Sequence, residues 1–115
     1  MAKTTEDYIS MGFDKKTAEY FVSGRRKAVA VEPQGDFTLI ITFDNNEKRS
    51  FDMKPIIEEG GVFTSISDYN NFERVYIDDT NSIAWDIDPN INSNVVWNNK
   101  IDVSSDTCYM DSKSI

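Results

Sequence analysis

The sequence contains no histidine and only one cysteine among its 115 residues. Histidine is the commonest general base near neutral pH and the commonest metal ligand, so its absence excludes a Ser-His triad and removes both of these groups. Cys108 lies close to Asp106 and Asp111, whose charges would raise the pKa of its thiol. We therefore expect a buried, unreactive cysteine, no catalytic residue and a protein that is not an enzyme.

Long apolar runs are also missing. No stretch approaches the roughly 20 apolar residues that a membrane-spanning helix needs. The segment Met1–Tyr8 is polar and does not have the pattern of a secretory signal. A single cysteine cannot form a disulfide within the chain, so we expect a cytoplasmic location and no membrane partner.

The sequence does contain enough apolar material for one core. Seven Phe, five Tyr and two Trp accompany a hydrophobic share of 39%, which argues against a disordered chain. A length of 115 residues is typical of a single domain, so we expect one core and not two.

The net charge of −8 lies entirely in one half of the chain. Residues 55–115 contain eleven acidic and three basic side chains, whereas residues 1–54 contain nine of each. An acidic surface repels phosphate backbones, so we expect no direct nucleic-acid partner. It either keeps the protein soluble or provides a docking surface for a basic partner. We expect the basic triplet Arg25–Lys27 to cap the preceding helix.

A β-hairpin is the clearest structural signal. Large apolar residues alternate with their neighbours from Phe37 to Phe43, and a second strand pattern runs from Glu47 to Asp52. Between them, Asp44, Asn45 and Asn46 tolerate the positive φ of a tight turn.

Further short elements flank this hairpin. A helix is predicted from the cap Asp14 to Gly24, with a buried stripe of Ala18, Phe21 and Val22. The patterns also predict strands at 28–31, 74–77 and 82–85, and short helices at 53–59, at 67–72 with Ser67 as cap, and within 102–109. This order predicts an α+β fold, a small antiparallel meander sheet with an N-terminal helix and short helical segments on one face. We divide the chain into an N-terminal helical extension, 1–27, and one α+β domain, 28–115.

An ordered series of short motifs runs through residues 28–110. It consists of Ala28-Val-Ala-Val31, Phe37-Thr-Leu39, Thr42-Phe43, Arg49-Ser-Phe51-Asp52-Met53-Lys-Pro55, Gly61-Val-Phe63, Asp68 to Phe72, Val75-Tyr-Ile77, Ile83-Ala-Trp85, Ile101-Asp102 and Asp106 to Tyr109. In this series the chain resembles the small bacterial family known as domain of unknown function 2442. Two departures are Asn46, in place of the usual turn glycine, and the inserted segment Asp86–Asn94.

The resemblance implies a small α+β sheet domain without an established activity. Some relatives carry a helix-turn-helix DNA-binding domain, a role that we do not expect here because the chain leaves no room for one. Others look like partners of adjacent small proteins, in the manner of toxin–antitoxin pairs.

The Asp/Asn-rich segment 86–92 superficially resembles a calcium loop. It places Ile91 where the loop needs glycine and Trp97 where it needs a bidentate glutamate. We therefore expect a polar loop with Asx turns, no metal site and no cofactor.

Aromatic and amide side chains are the remaining candidates for binding. The candidate residues are Trp97, Tyr109, Trp85, Asn94, Asn98 and Asn99. Core packing is the alternative for each aromatic, especially for Trp85 in its predicted strand. Our leading hypothesis is a non-enzymatic protein-interaction module, either an antitoxin-like partner of another small bacterial protein or a homodimer. The alternative is a small-molecule ligand bound by the 86–99 loop.

Overall fold

A computed structural model describes residues 3–115 and shows an α+β fold. Its α-helices are α1 (Thr5–Ser10), α2 (Lys15–Ser23), α3 (Lys54–Glu59), α4 (Tyr69–Phe72) and α5 (Ser105–Met110). Its strands are β1 (Ala28–Pro33), β2 (Thr38–Phe43), β3 (Lys48–Asp52), β4 (Tyr76–Ile77), β5 (Ile83–Asp86), β6 (Lys100–Val103) and β7 (Lys113–Ser114). Two 3₁₀ helices span Gly61–Ile66 and Trp97–Asn99. The predicted α+β class, with its antiparallel meander and N-terminal helix, is confirmed. Residues 1–2 of the predicted extension lie outside the described residues.

The first sheet has the strand order β1-β2-β3-β7, and all its pairs are antiparallel. Its centre is the predicted hairpin of β2 and β3. Leu39, Ile41 and Phe43 of β2 are completely buried, as their alternation with more exposed neighbours predicts. In the turn, Asn46 has a φ of 67°, a left-handed conformation that asparagine tolerates.

A second antiparallel sheet, of order β4-β5-β6, extends the predicted architecture. Its central strand β5 contributes Ile83, Ala84 and Trp85, all completely buried. Strand β6 buries Ile101 and Val103 and pairs with β5. It is not among the strands predicted from the sequence, because these two are its only apolar residues and they give a weak pattern.

One hydrophobic core joins the two sheets. Phe72 of α4 packs against Trp85 with ring centroids 5.8 Å apart. The Trp85 Nε1–H also donates a hydrogen bond to the Phe72 carbonyl at 2.8 Å. The indole thus buries its large ring and satisfies its only polar atom at the same time.

Helix α2 docks on α5 of the same chain. Asp14 caps α2 by accepting the Thr17 N–H at 2.7 Å, and Gly24 follows the helix with a φ of 95°, so both predicted ends are confirmed. Tyr20 is buried and donates its hydroxyl to Asp106 Oδ1 at 2.7 Å. Arg25 forms an ion pair with the same carboxylate.

Three local predictions are wrong in their details. Val22 is 46% exposed, and Tyr20 is buried in its place because the partner of α2 is the polar and aromatic surface of α5. The cap of α4 is Asp68, one residue after the predicted Ser67, because its Oδ1 accepts the Asn70 N–H at 3.1 Å. Arg25 reaches across to α5 and does not cap α2.

Within residues 3–115, no helix combines the length and the apolar character needed to cross a bilayer.

Candidate functional site

The loop between β5 and β6 (residues 87–98, hereafter the β5–β6 loop) is held from inside by Asn99. This side chain is 6% exposed. Its Oδ1 accepts the Asp88 N–H at 2.9 Å, and its Nδ2 lies 3.0 Å from the carbonyl oxygens of Asp88 and Ile91 and 3.1 Å from Ser93 Oγ. An amide both accepts and donates, so one residue fixes three points along the loop.

Two Asx turns shape the same segment. Asp88 accepts the Asn90 N–H and Asn92 accepts the Asn94 N–H, each at 2.9 Å. The predicted polar loop with Asx turns is therefore confirmed. Over residues 3–115, no group of three or more Asp, Glu or Cys side chains is arranged to hold a metal ion.

A hydrogen-bonded carboxylate joins the loop to the second sheet. Asp86 Oδ1 accepts hydrogen bonds from the Tyr76 hydroxyl at 2.8 Å and from Ser93 Oγ at 2.5 Å. Burial and the hydrogen bond to Asp86 raise the pKa of Tyr76 to about 12. Tyr76 consequently remains a neutral donor throughout the physiological range.

A cleft of about 380 Å³ opens beside this carboxylate. Tyr76 and Asp86 form one wall, and the loop residues 89–94 form the other. Its size lies within the range of small-molecule sites. Its lining is mainly amide, hydroxyl and carboxylate groups, so it suits a polar molecule better than an apolar one.

An ion pair lies directly after β4, between Asp78 and Lys100. Asp78 accepts a hydrogen bond from Lys100 Nζ at 2.8 Å, and its side chain is only 5% exposed. Burial alone would raise the pKa of Asp78, but hydrogen bonds from Lys100, Thr80 and the Ser82 N–H outweigh it and lower the pKa to about 2. Asp78 is therefore ionised and neutralises the nearest lysine.

The tip of the β5–β6 loop presents apolar side chains to solvent. Val95, Val96 and Trp97 are 77%, 42% and 83% exposed. Ile87 and Ile91 in the same loop are 36% and 40% exposed. Single exposed apolar residues are ordinary, but three in succession on a loop that is fixed from inside are typical of an interaction surface.

Four of the six predicted binding residues lie in or directly after this loop. Trp97 is at its exposed tip, Asn94 and Asn98 are exposed, and Asn99 is the buried anchor. Of the four, Asn94 also lines the cleft. Their part in binding stays a prediction.

The structure does not bring Trp85 and Tyr109 to the loop surface. Trp85 is completely buried in the core. Tyr109, on α5, stacks on Tyr20 with centroids 5.4 Å apart and lies under the Arg49 guanidinium at 4.6 Å. Its hydroxyl donates to Glu47 Oε1 at 2.8 Å. Tyr109 therefore belongs to the contact between α5 and α2.

Cys108 is completely buried. Burial, together with the charge of Asp111, raises the pKa of its thiol to about 12. The thiolate is therefore a negligible species near neutral pH, and the thiol is a poor nucleophile.

Two features of this region cannot be predicted from the sequence. Asn99 is one of several asparagines after residue 89, and only the chain path shows that it faces inward. Tyr76 and Ser93 meet Asp86 because β4 pairs with β5 and the loop folds back. The alternating apolar pattern of 74–77 predicts a strand but not the partner of its tyrosine.

One comparison with known proteins gives a match. The model of a family described as "Protein of unknown function (DUF2442)" matches residues 28–114, from the first residue of β1 into β7. No curated protein and no solved structure matches the chain.

Proposed function

The chain belongs to the DUF2442 family of proteins of unknown function, and on this premise we propose that it is a non-enzymatic protein-interaction module. The β5–β6 loop is the docking surface, and a basic partner protein with an apolar face is the occupant. The observation that supports this proposal is the exposure of 83% at Trp97, on a loop anchored by Asn99.

Burial of Trp97 supplies the main gain in binding. A tryptophan buries on the order of 200 Å² in an interface, which corresponds to about 5 kcal/mol at roughly 25 cal/mol per Å² before the costs of association. The hydrogen bonds of Asn99 already order the base of the loop. Less conformational entropy is then lost on binding, so more of the gain remains as affinity.

Charge favours a basic partner over a second copy of the chain. Residues 55–115, which include the loop, contain eleven acidic and three basic side chains. Two copies facing each other through this half would repel, whereas a basic protein is attracted and steered. An antitoxin-like pairing with a small basic protein is the narrower form of this proposal.

The test compares two tagged variants with the wild type in capture from cells of the source organism, read by native mass spectrometry. Trp97→Ser removes the apolar tip. Val62→Ser is the matched control, because Val62 is 57% exposed and lies outside the loop. We expect wild type and Val62→Ser to capture a basic protein in stoichiometric amounts. Trp97→Ser should weaken this binding at least tenfold, and added salt should weaken it too.

Two results would contradict this reasoning. One is a partner that binds Trp97→Ser as tightly as wild type. The other is a homodimer at micromolar concentration that Trp97→Ser dissociates, which would make a second copy the occupant.

A small polar ligand in the cleft beside Asp86 is the second candidate. The observation that favours it is the cleft of about 380 Å³ between Tyr76, Asp86 and the loop. Native mass spectrometry of protein isolated from its cells would then show a small added mass, and Asn94→Ala would remove it. Asn98→Ala is the matched control, since Asn98 is exposed and does not line the cleft.

A further inference from the structure

A second cleft, of about 450 Å³, lies between the start of β1 and the start of α5. Its cationic side chains come from the segment Arg25–Lys27, and its hydroxyl groups include those of Thr80, Ser82 and Ser104. Cations and hydroxyls lining one cavity are the donor set that proteins use for phosphate groups. This composition is unexpected in a chain with a net charge of −8.

Two of the three cations are not neutralised by any residue from 3 to 115. Arg25 is paired with Asp106, which is the carboxylate in the lining. Neither Arg26 nor Lys27 forms an ion pair with any residue between 3 and 115. Among the lining residues, three cations thus face one carboxylate. Asp44 and Asp79 lie close to the cleft without being part of its lining, and charges further away are screened beyond about 10 Å at 0.1 M salt.

Arg26 has an unmet hydrogen-bonding capacity. Its Nε is inaccessible to solvent and has no acceptor in the described part of the chain. A buried donor without an acceptor costs about 1–3 kcal/mol. An anion in the cleft would supply acceptors to this guanidinium, which forms bidentate contacts with phosphate oxygens.

The backbone of the basic segment is fixed in advance. The Arg26 N–H donates to the Tyr20 hydroxyl at 2.9 Å, and the Lys27 carbonyl accepts the Asp44 N–H at 2.9 Å. The two charges are therefore displayed on an ordered segment, which lowers the entropic cost of binding.

We propose that this cleft is an anion site for the phosphate group of a small molecule, with Arg26 and Lys27 as its main ligands. The hydroxyls of Thr80 and Ser104 already donate to Asp78 and Thr107, so the two cations supply the binding contacts. Arg25 neutralises Asp106 so that it does not repel the anion. The proposal concerns a different face from the β5–β6 loop and does not depend on the protein-interaction function.

The experiment titrates ¹⁵N-labelled full-length protein with inorganic phosphate at constant ionic strength and follows the backbone amide shifts. We expect saturable shifts confined to residues 25–27, 80–82 and 104–106. Arg26→Gln should weaken the affinity about tenfold or more, since hydrogen bonds to a charged group are among the stronger ones. Lys27→Gln, at an exposed position, is the second variant and tests the site without altering a buried group.

Lys48→Gln is the matched control. Lys48 is exposed, forms no ion pair among residues 3–115 and lies outside the cleft lining, yet its substitution changes the net charge equally. Affinity should therefore remain unchanged. A nucleoside monophosphate that binds more tightly than phosphate identifies a larger ligand, whereas equal affinity identifies the phosphate group itself.

Other outcomes would overturn the proposal. One is a set of amide shifts that do not saturate or that are spread over lysines across the surface. Another is an affinity for phosphate that Lys48→Gln and Lys27→Gln weaken equally. Binding of the nucleoside monophosphate should also be tighter at pH 7.5 than at pH 5.5, because a phosphate monoester gains its second charge with a pKa of about 6. Binding of sulfate should not change over that range.

Discussion

Substitution of Asn99 by alanine tests how the β5–β6 loop is held. The variant loses the Oδ1 contact with the Asp88 N–H at 2.9 Å and the Nδ2 contacts with the carbonyls of Asp88 and Ile91 at 3.0 Å. Each neutral hydrogen bond contributes about 0.5–1.5 kcal/mol net. Asp88 and Ile91 are exposed, so water can replace part of what is lost. We expect the free energy of unfolding to fall by about 2–3 kcal/mol.

Urea denaturation followed by circular dichroism measures this change, and hydrogen exchange of the Asp88 amide locates it. Asn98→Ala is the matched control, because Asn98 is the adjacent, exposed asparagine. It should change stability by less than about 0.5 kcal/mol. The reasoning is refuted if Asn99→Ala is no more destabilising than Asn98→Ala and the Asp88 amide keeps its protection.

Asn99→Asp separates hydrogen bonding from packing at the same position. Aspartate has nearly the same shape and retains the acceptor for the Asp88 N–H. Its second carboxylate oxygen replaces the donating amide nitrogen and faces the carbonyl oxygens of Asp88 and Ile91. At neutral pH it should destabilise at least as much as alanine. A fully stable Asn99→Asp variant would show that shape alone holds the loop.

Two further predictions concern titrating groups. The pKa of Asp78 is about 2 in the folded chain, below its ordinary value of 3.8, so its ion pair with Lys100 stabilises the fold above about pH 4 and is lost as the pH falls toward 2. The free energy of unfolding, from urea denaturation, should fall more between pH 6 and pH 3 for wild type than for Asp78→Asn, by about 1 kcal/mol over that range; parallel profiles would contradict this. The pKa of Cys108 is about 12, so iodoacetamide at pH 8 should label it only in denaturant, and rapid labelling of the folded protein would disprove its burial.

Short-range signals made most of the fold predictable from the sequence. The hairpin follows from alternation in β2 and from residues that accept positive φ at Asn46. The ends of α2 follow from Asp14 and Gly24, since caps act on backbone groups within one turn. The family resemblance, confirmed over residues 28–114, needed only an ordered series of such local motifs.

The candidate site was predictable only in part. Composition predicts a polar loop after β5 that contains Trp97. It does not distinguish the buried Asn99 from the exposed Asn94. The sequence analysis names Tyr109 as a binding candidate because it is one of the aromatic residues. In the structure it stacks on Tyr20, a residue 89 positions earlier in sequence.

The sequence alone determined the α+β class, the hairpin, the inert setting of Cys108 and the acidic half of the chain, because these depend on residue type, on neighbours in sequence or on total charge. Tertiary structure decided which asparagine is buried, where Tyr109 packs and how Arg26 and Lys27 meet the hydroxyls of another segment. Those facts depend on contacts between residues far apart in the chain. No local pattern encodes them, since the energy of each contact exists only once the sheets and helices have brought both partners together.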